Sequence, residues 1–218
     1  MLTRRHFLAT GTALFCAPAL PGPARAQQSQ WAEWDALVTP AGYDPATTNP
    51  WGLHPRFLPR LVQTNRPLRP GDVHVDAVAR YLYHIQPDGA SAMRYGVAIG
   101  RGDLYIPGTF TIGRKARWPG WTPTATMIAR NPEYAEWANG QPGGPTNPLG
   151  ARALYLYAGS RDTYLRIHGT PQPVTVGHRA SSGCVRMVMA HIIDLYEQVQ
   201  TGATAHLYPA EQTVTEAG

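Results

Sequence analysis

Short stretches in which apolar and polar residues alternate dominate the chain from residue 72 onward. Alternation with a period of two is typical of strands that bury one face, and turn-forming residues punctuate the intervals. The predicted strands cover residues 73–75, 81–85, 95–99, 109–112, 153–157, 164–167 and 203–208. A Pro87-Asp88-Gly89 turn connects the second of these strands to the third, which predicts a hairpin.

One segment near the carboxyl end has a helical period instead. Its apolar residues recur at spacings of four, three, one and three, which places them on one face of a helix. This stripe consists of Val188, Ile192, Leu195, Tyr196 and Val199. Gly202 predicts the end of the helix. With no repeat of fixed period, the pattern predicts a mainly β protein: an antiparallel β-sandwich with one helix in its carboxyl-terminal half.

The segments around these elements differ in composition. Residues 27–71 contain many Xaa-Pro pairs, which predict an irregular N-terminal arm. Residues 72–208 hold the predicted strands and form the main domain, and residues 209–218 form a short tail. Within the domain, residues 115–150 are rich in Pro and Gly. This segment is too long for a simple connection, so we expect a lid or wall of a functional site.

The first 26 residues have the features of an export signal. Two arginines at positions 4 and 5 precede an apolar stretch, and a small-x-small cleavage site follows at residues 24–26. These features predict a twin-arginine signal peptide over residues 1–26 and a periplasmic location. Because the apolar stretch is too short to span a bilayer, we expect no transmembrane anchor after cleavage.

Charge and composition argue against nucleic acid as a partner and against a bound cofactor. The chain has 19 basic and 14 acidic residues, a formal charge of +5. Cleavage after residue 26 removes three arginines, which leaves 16 basic residues and a charge of +2. Such a mild charge does not favour nucleic acid as a partner. The sequence contains no glycine-rich dinucleotide loop and no phosphate loop, so we expect no cofactor.

The strongest chemical signal is a thiol near a histidine. Cys184 follows His168 by sixteen positions, and the other cysteine, Cys16, lies in the predicted signal peptide. A single thiol cannot form an internal disulfide, and an imidazole that takes its proton would make it a nucleophile. Gly183 permits a tight turn whose amides stabilise an oxyanion, and Arg186 offers a carboxylate a two-point hydrogen bond.

Other interpretations of these residues remain open at this point. A cysteine outside such a motif is most often a small buried apolar residue, and this is the alternative for Cys184. A metal site of His168, His178 and Cys184 fits no familiar zinc spacing, and we predict no metal. Arg186 could equally form a structural salt bridge. The tryptophans of the long insertion could belong to the core or line a cleft; they are Trp118, Trp121 and Trp137.

The motif residues resemble the catalytic domain of L,D-transpeptidases, which act on bacterial peptidoglycan. The likeness covers residues 72–208, and its most specific parts are His168-Gly169-Thr170 and Ser182-Gly183-Cys184-Val185-Arg186-Met187. The resemblance implies a cysteine nucleophile at Cys184 and a base at His168 that a backbone carbonyl orients. Orienting or oxyanion roles fall to Gly169 and Gly183, and candidate substrate-binding residues are Thr170, Ser182 and Arg186. Many members have a histidine where this chain has Ser182.

The resemblance also implies a reaction. The cysteine attacks the third residue of a tetrapeptide stem, releases the terminal D-Ala and forms a thioester that an amine resolves. An amine of another stem gives a 3-3 cross-link, and an amine of an outer-membrane protein or lipoprotein gives an anchor. Water makes the enzyme an L,D-carboxypeptidase or endopeptidase.

Two hypotheses of other classes are weaker. A non-catalytic wall-binding module would have lost Cys184 or His168, and both are present. In papain-like peptidases the nucleophile precedes the histidine along the chain, whereas here the order is reversed.

Overall fold

The protein is described by a computed structural model that covers residues 23–210. Strands account for most of its regular structure in this range. In chain order they are β1 (Arg60–Gln63), β2 (Val73–Asp76), β3 (Tyr81–Ile85), β4 (Ser91–Gly96), β5 (Ile99–Gly100), β6 (Gly108–Arg117), β7 (Arg152–Ala158), β8 (Arg161–Thr170), β9 (Arg179–Ser181), β10 (Val185–Val188) and β11 (Thr204–Leu207).

Three α-helices accompany the strands in this part of the chain: α1 (Pro23–Val38), α2 (Ala125–Arg130) and α3 (Met189–Gln198). Short 3-10 helices lie at Pro55–Phe57, Gly102–Leu104, Pro132–Trp137 and Pro173–Thr175. Among residues 23–210, no helix has the length and apolar character that a membrane span requires.

Nine strands form one large sheet in the order β1-β4-β3-β2-β11-β6-β7-β8-β10, and β5 pairs with β9 separately. The prediction of a mainly β fold is confirmed. Most neighbours are antiparallel, but β2 with β11 and β8 with β10 are parallel, so the large sheet is mixed. Parallel neighbours need crossover connections, and a 3-10 helix and β9 lie in the connection from β8 to β10, whereas α3 lies between β10 and β11, which are not neighbours.

The segment that follows β4 contacts the opposite edge of the large sheet. Ala98, which follows β4, forms two main-chain hydrogen bonds with Arg186 on edge strand β10, at 2.9 and 2.8 Å. Both halves of the sheet therefore contribute to one apolar core. Its members come from β2, β3, β7, β8, β10 and α3, for example Val75, Leu82, Leu156, Ile167 and Met187.

Helix α3 closes this core as the apolar stripe predicts. Ile192 and Leu195 are fully buried, and Val199 caps the helix by donating its N–H to the Leu195 carbonyl oxygen at 3.0 Å. The helix therefore ends at Gln198, before Gly202, which adopts a positive φ of 95° in the following turn. Val188, the first residue of the predicted stripe, belongs to β10 instead.

The prediction of an irregular arm over residues 27–71 is wrong in two places. Most of α1 lies in this segment, and β1 pairs with β4 at the edge of the sheet. Helix α1 is fixed by Asp35, which binds both terminal guanidinium nitrogens of Arg152 at 2.8 and 2.6 Å. That contact joins residues far apart in sequence, so the local pattern did not reveal it. The cleavage site predicted at residues 24–26 lies within α1, and the twin arginines lie outside the described residues.

The long insertion between β6 and β7 contains α2 and a 3-10 helix. Trp121 packs edge-to-face on Tyr134 with ring centroids 5.1 Å apart, and its backbone bridges to Gln141. Trp118 is buried against α1, and its indole N–H donates to Asp35 at 3.0 Å. The insertion is therefore a folded unit that rests on the sheet.

Candidate active site

The parallel pair of β8 and β10 assembles the predicted chemistry on one face of the sheet. In this pair Arg186 lies opposite His168, and Val185 lies opposite Ile167. Side chains alternate along strands, so Cys184 and Arg186 point to the same side as Arg166 and His168. The two sequence motifs are thus neighbours in space because their strands pair.

A tight turn presents Cys184 at the start of β10. The hydroxyl of buried Ser181 donates to the Cys184 carbonyl oxygen at 2.5 Å and accepts from the Gly183 N–H at 3.1 Å. Gly183 has a φ of +132°, and a Cβ there would lie 2.9 Å from the Leu104 carbonyl oxygen. Only glycine fits this backbone. The Gly183 amide donates to Ser181 in this structure, and an oxyanion role for the amides of this turn stays a prediction.

Cys184 and Ser182 line a cleft of about 510 Å³. The long insertion supplies one wall of this cleft through Trp121, Met127 and Arg130. This placement agrees with the expectation of a lid or wall. Of the three tryptophans left open by the sequence, Trp121 lines the cleft, Trp118 is buried behind it, and Trp137 is half-buried in the insertion.

The imidazole of His168 is buried beside the motif. Its Nδ1 lies 2.6 Å from the Gly169 carbonyl oxygen. Because a carbonyl only accepts, Nδ1 carries the hydrogen and Nε2 keeps the lone pair. Burial, together with the positive charge of Arg186, lowers the pKa of His168 to about 3. The ring is therefore neutral at physiological pH, as a general base must be.

The thiol of Cys184 is half-buried and protonated at rest. Burial raises its pKa, although the Arg166 backbone N–H and the charges of Arg166 and Arg186 act in the opposite direction. Its Sγ lies 3.7 Å from the Tyr164 carbonyl oxygen, a weak hydrogen bond that a thiol donates. Tyr164 has an unusual φ of +62°. The resting site thus holds a neutral thiol and a neutral imidazole.

Arg166 reaches the cleft beside Cys184, a role that the sequence analysis missed. Its guanidinium binds both carboxylate oxygens of Asp162 at 2.7 and 2.9 Å and lies 4.0 Å from the Tyr155 ring centre. Arg114 covers the same ring at 3.7 Å. The alternation of β8 could have found Arg166, since it lies two residues before His168.

Arg186 lies behind the cleft, next to His168. Its backbone is fixed by Ala98, yet no carboxylate among residues 23–210 forms an ion pair with its guanidinium, and its buried Nε has no acceptor. The described chain therefore offers Arg186 no acidic partner for the structural salt bridge that the sequence left open.

The remaining predicted residues are not all at the cleft. Gly169 packs closely under α3, since a Cβ there would lie 3.1 Å from Ile192. Thr170 is buried, accepts from the Gln172 N–H at 3.1 Å and lines a separate cavity beside α1. The structure therefore does not bring Thr170 to the substrate cleft. His178 is exposed, and within residues 23–210 it forms no ligand cluster with His168 and Cys184.

Comparison with known proteins identifies the domain that carries this site. The family model of the L,D-transpeptidase catalytic domain, YkuD, matches residues 70–209. The chain belongs to this family. The L,D-transpeptidase domain thus includes every strand from β2 to β11 and the cleft with Cys184.

Several curated proteins resemble this L,D-transpeptidase domain. "Probable L,D-transpeptidase YcfS" of Escherichia coli is 35% identical over 130 residues, which are 58% of this chain and 40% of that protein. "Probable L,D-transpeptidase YbiS" of Escherichia coli is 35% identical over 148 residues, which are 61% of this chain and 44% of that protein. The chain therefore spans less than half the length of these two relatives.

A solved L,D-transpeptidase structure has a similar fold. The "Ldtfm-avibactam carbamoyl enzyme" is 15% identical, covers 66% of this chain and 51% of its own, and has a TM-score of 0.50. A crystal structure from Brucella melitensis, described as a "Probable carnitine operon oxidoreductase caia", is 44% identical. It covers 70% of this chain and 94% of its own with a TM-score of 0.49.

Proposed function

We propose that the protein is a cysteine-dependent L,D-transpeptidase that acts on peptidoglycan stem peptides through a thioester. One observation carries the proposal: Cys184 opens into a cleft from the same sheet face as a neutral His168 whose Nδ1 is bound to the Gly169 carbonyl. That arrangement leaves Nε2 as the acceptor for the thiol proton.

The first half-reaction follows from the protonation states. As Sγ of Cys184 bonds to the carbonyl carbon of the stem peptide, its proton passes to Nε2 of His168. Because the thiol pKa is raised by burial, this transfer accompanies attack and does not precede it. The C–N bond then breaks, and the leaving amine of the terminal D-Ala takes the proton from His168. The product is a thioester on Cys184.

The second half-reaction depends on the acceptor. An amine of another stem attacks the thioester carbon, passes its proton through His168 to the departing sulfur and forms a new amide. A stem acceptor gives a 3-3 cross-link, and an amine of an outer-membrane protein or lipoprotein gives an anchor. Water in the same role gives an L,D-carboxypeptidase or endopeptidase. This second candidate has equal support, because a neutral thiol and a neutral imidazole suit either acceptor.

The charge of the cleft fits a substrate with carboxylates. Arg114 and Arg130 line it, whereas Arg166 is already neutralised by Asp162. Among the described residues, Asp103 is the acidic side chain that lines the cleft. Stem peptides end in carboxylates, and guanidinium groups bind carboxylates through paired hydrogen bonds. Arg186, which has no acidic partner in residues 23–210, is a further carboxylate-binding candidate deeper in the site.

The test is incubation of the protein with a disaccharide tetrapeptide, followed by mass spectrometry of the products. A cross-linked dimer identifies the stem as acceptor, and a tripeptide identifies water. Cys184→Ala is the matched control, since it removes the bond-forming atom and little volume. Product formation by Cys184→Ala at the wild-type rate would refute the proposal.

We further propose that residues 1–26 direct export by the twin-arginine route to the periplasm. The twin arginines at positions 4 and 5 support this proposal. Replacing both with lysine should keep a fused reporter in the cytoplasm, as measured by cell fractionation. Continued export of the double-lysine variant would exclude the twin-arginine route without affecting the enzymatic proposal.

A further inference from the structure

A second group of ligating side chains lies on the pair of β2 and β11, remote from Cys184. It consists of Asp72, His74 and His206, whose potential ligand atoms all lie within 4.8 Å of one another. His74 and His206 are opposite each other in the parallel register, and their rings stack at 4.5 Å. None of the three lines the cleft of Cys184.

Both imidazoles have a hydroxyl at Nδ1. The Tyr208 hydroxyl lies 2.8 Å from Nδ1 of His74, and the Thr109 hydroxyl lies 3.4 Å from Nδ1 of His206. A hydroxyl that accepts from Nδ1 fixes the tautomer and leaves the lone pair on Nε2. This is the outer-shell arrangement that orients histidines which bind a metal through the other nitrogen.

The free nitrogen of His74 is unexplained by the protein alone. His74 is only 8% exposed, and its buried Nε2 has no hydrogen-bond partner in the described chain. Native proteins satisfy most buried polar atoms, so an orphaned imidazole nitrogen calls for a ligand.

Asp72 supplies an oxygen to the same place. Its Oδ1 accepts from the Thr204 backbone N–H at 3.1 Å, which orients the carboxylate. Its Oδ2 lies 3.6 Å from Nε2 of His206, a separation longer than a hydrogen bond. Two imidazole nitrogens and one carboxylate oxygen form a ligand set that zinc accepts, with a fourth position for water.

We propose that Asp72, His74 and His206 bind one divalent transition metal of the zinc type. His74 also lines a cavity of about 950 Å³ with Tyr208 and Arg66. The metal would link β2 and β11, the parallel strands at the centre of the large sheet. The proposal is independent of the transpeptidase chemistry.

The test uses the full chain, freed of metal with a chelator and titrated with zinc chloride by calorimetry. We expect one zinc per chain and a melting temperature that rises with zinc, because a ligand that binds only the folded state stabilises it. His206→Ala should abolish both effects. Cys184→Ser and His178→Ala are controls that should bind zinc as the wild type does.

A second variant keeps the test decisive if His206→Ala fails to fold. Tyr208→Phe retains all three ligands and removes only the hydroxyl at Nδ1 of His74, so zinc affinity should fall about 10- to 100-fold. Unchanged affinity in Tyr208→Phe, loss of binding in Cys184→Ser, or no saturable zinc binding by the wild type would each overturn the proposal.

Discussion

At the scale of single residues, the site depends on groups that burial holds neutral. The pKa of His168 falls to about 3, and the pKa of the Cys184 thiol rises, because both leave water for the interior of the sheet. The Gly169 carbonyl fixes which nitrogen of His168 accepts a proton. These protonation states determine that the thiol proton moves during attack and not before it. Three predictions concern single residues of the site.

Alkylation of Cys184 by iodoacetamide should be slow at pH 7 and rise steeply with pH. The thiolate is the reactive form, and a pKa above the ordinary value of about 8.5 leaves little of it at neutrality. The rate should therefore increase about tenfold per pH unit up to the raised pKa. A rate that is already at its plateau at pH 7 would mean that Cys184 rests as an ion pair.

Replacing His168 with Gln should lower kcat/KM by about 10²- to 10⁴-fold, the contribution of a general base. Alkylation should slow far less, because the resting thiol does not depend on an imidazolium. His178→Gln is the control, since His178 is exposed and does not line the cleft. Full loss of activity in His178→Gln, with none in His168→Gln, would identify the other imidazole as the base.

Replacing Arg186 with Lys should lower kcat/KM for the tetrapeptide stem while iodoacetamide still alkylates Cys184 at a near-normal rate. Lysine keeps the charge but loses the planar fork that binds a carboxylate at two points. The measurement compares steady-state kinetics with alkylation in the same preparation. Equal loss of both, or a markedly lower melting temperature, would assign Arg186 to the fold.

At the scale of elements, the turn between β9 and β10 positions the nucleophile. Ser181 joins the end of β9 to the Cys184 carbonyl and to the Gly183 amide. Parallel pairing of β10 with β8 then places His168 on the same face as Cys184. The sequence analysis identified Ser182, Gly183 and Cys184 within this turn, but it gave Ser181 no role.

Ser181→Ala should reduce both stability and turnover. The change removes two hydrogen bonds and leaves the Gly183 amide without its partner, which costs about 1–3 kcal/mol of unfolding free energy. Ser182→Ala is the matched control, because that side chain lines the cleft. Urea unfolding should show a loss of stability in Ser181→Ala that exceeds the loss in Ser182→Ala, and kcat should fall in Ser181→Ala. Equal stability of the two variants would contradict a structural role for Ser181.

At the scale of the whole molecule, an ion pair joins α1 to the sheet and also contacts the start of the long insertion. Arg152 is only 2% exposed, and its guanidinium is bound on two points by Asp35 of α1. The Trp118 indole donates to the same carboxylate. A segment that precedes the family domain is therefore part of the folded unit behind the cleft wall.

Asp35→Ala should destabilise the protein by about 3–5 kcal/mol, since it leaves the Arg152 charge buried without its partner. Glu33→Ala is the control: Glu33 lies on the same helix and is exposed, so its loss should cost less than about 0.5 kcal/mol. Urea unfolding measures both values. A loss below 1 kcal/mol in Asp35→Ala would mean that α1 contributes little to the fold.

The sequence by itself determined the features that depend on local order. The alternation of apolar residues located β3, β7 and β11, and the stripe with Ile192 and Leu195 located α3, because burial of one face imposes a period. The choice of Cys184 as nucleophile and His168 as base also came from sequence, since the two motifs that contain them match a family pattern, and it stays a prediction. The mainly β class followed from the same alternation.

Only the tertiary structure decided what depends on contacts between distant residues. The helical state of residues before the domain follows from Asp35 meeting Arg152, and the cluster of Asp72, His74 and His206 exists because β2 pairs with β11. The neutral state of Cys184 and His168 likewise depends on burial, which a linear pattern does not measure. Local periodicity determined the elements, whereas strand pairing and burial determined the environment of the reactive side chains.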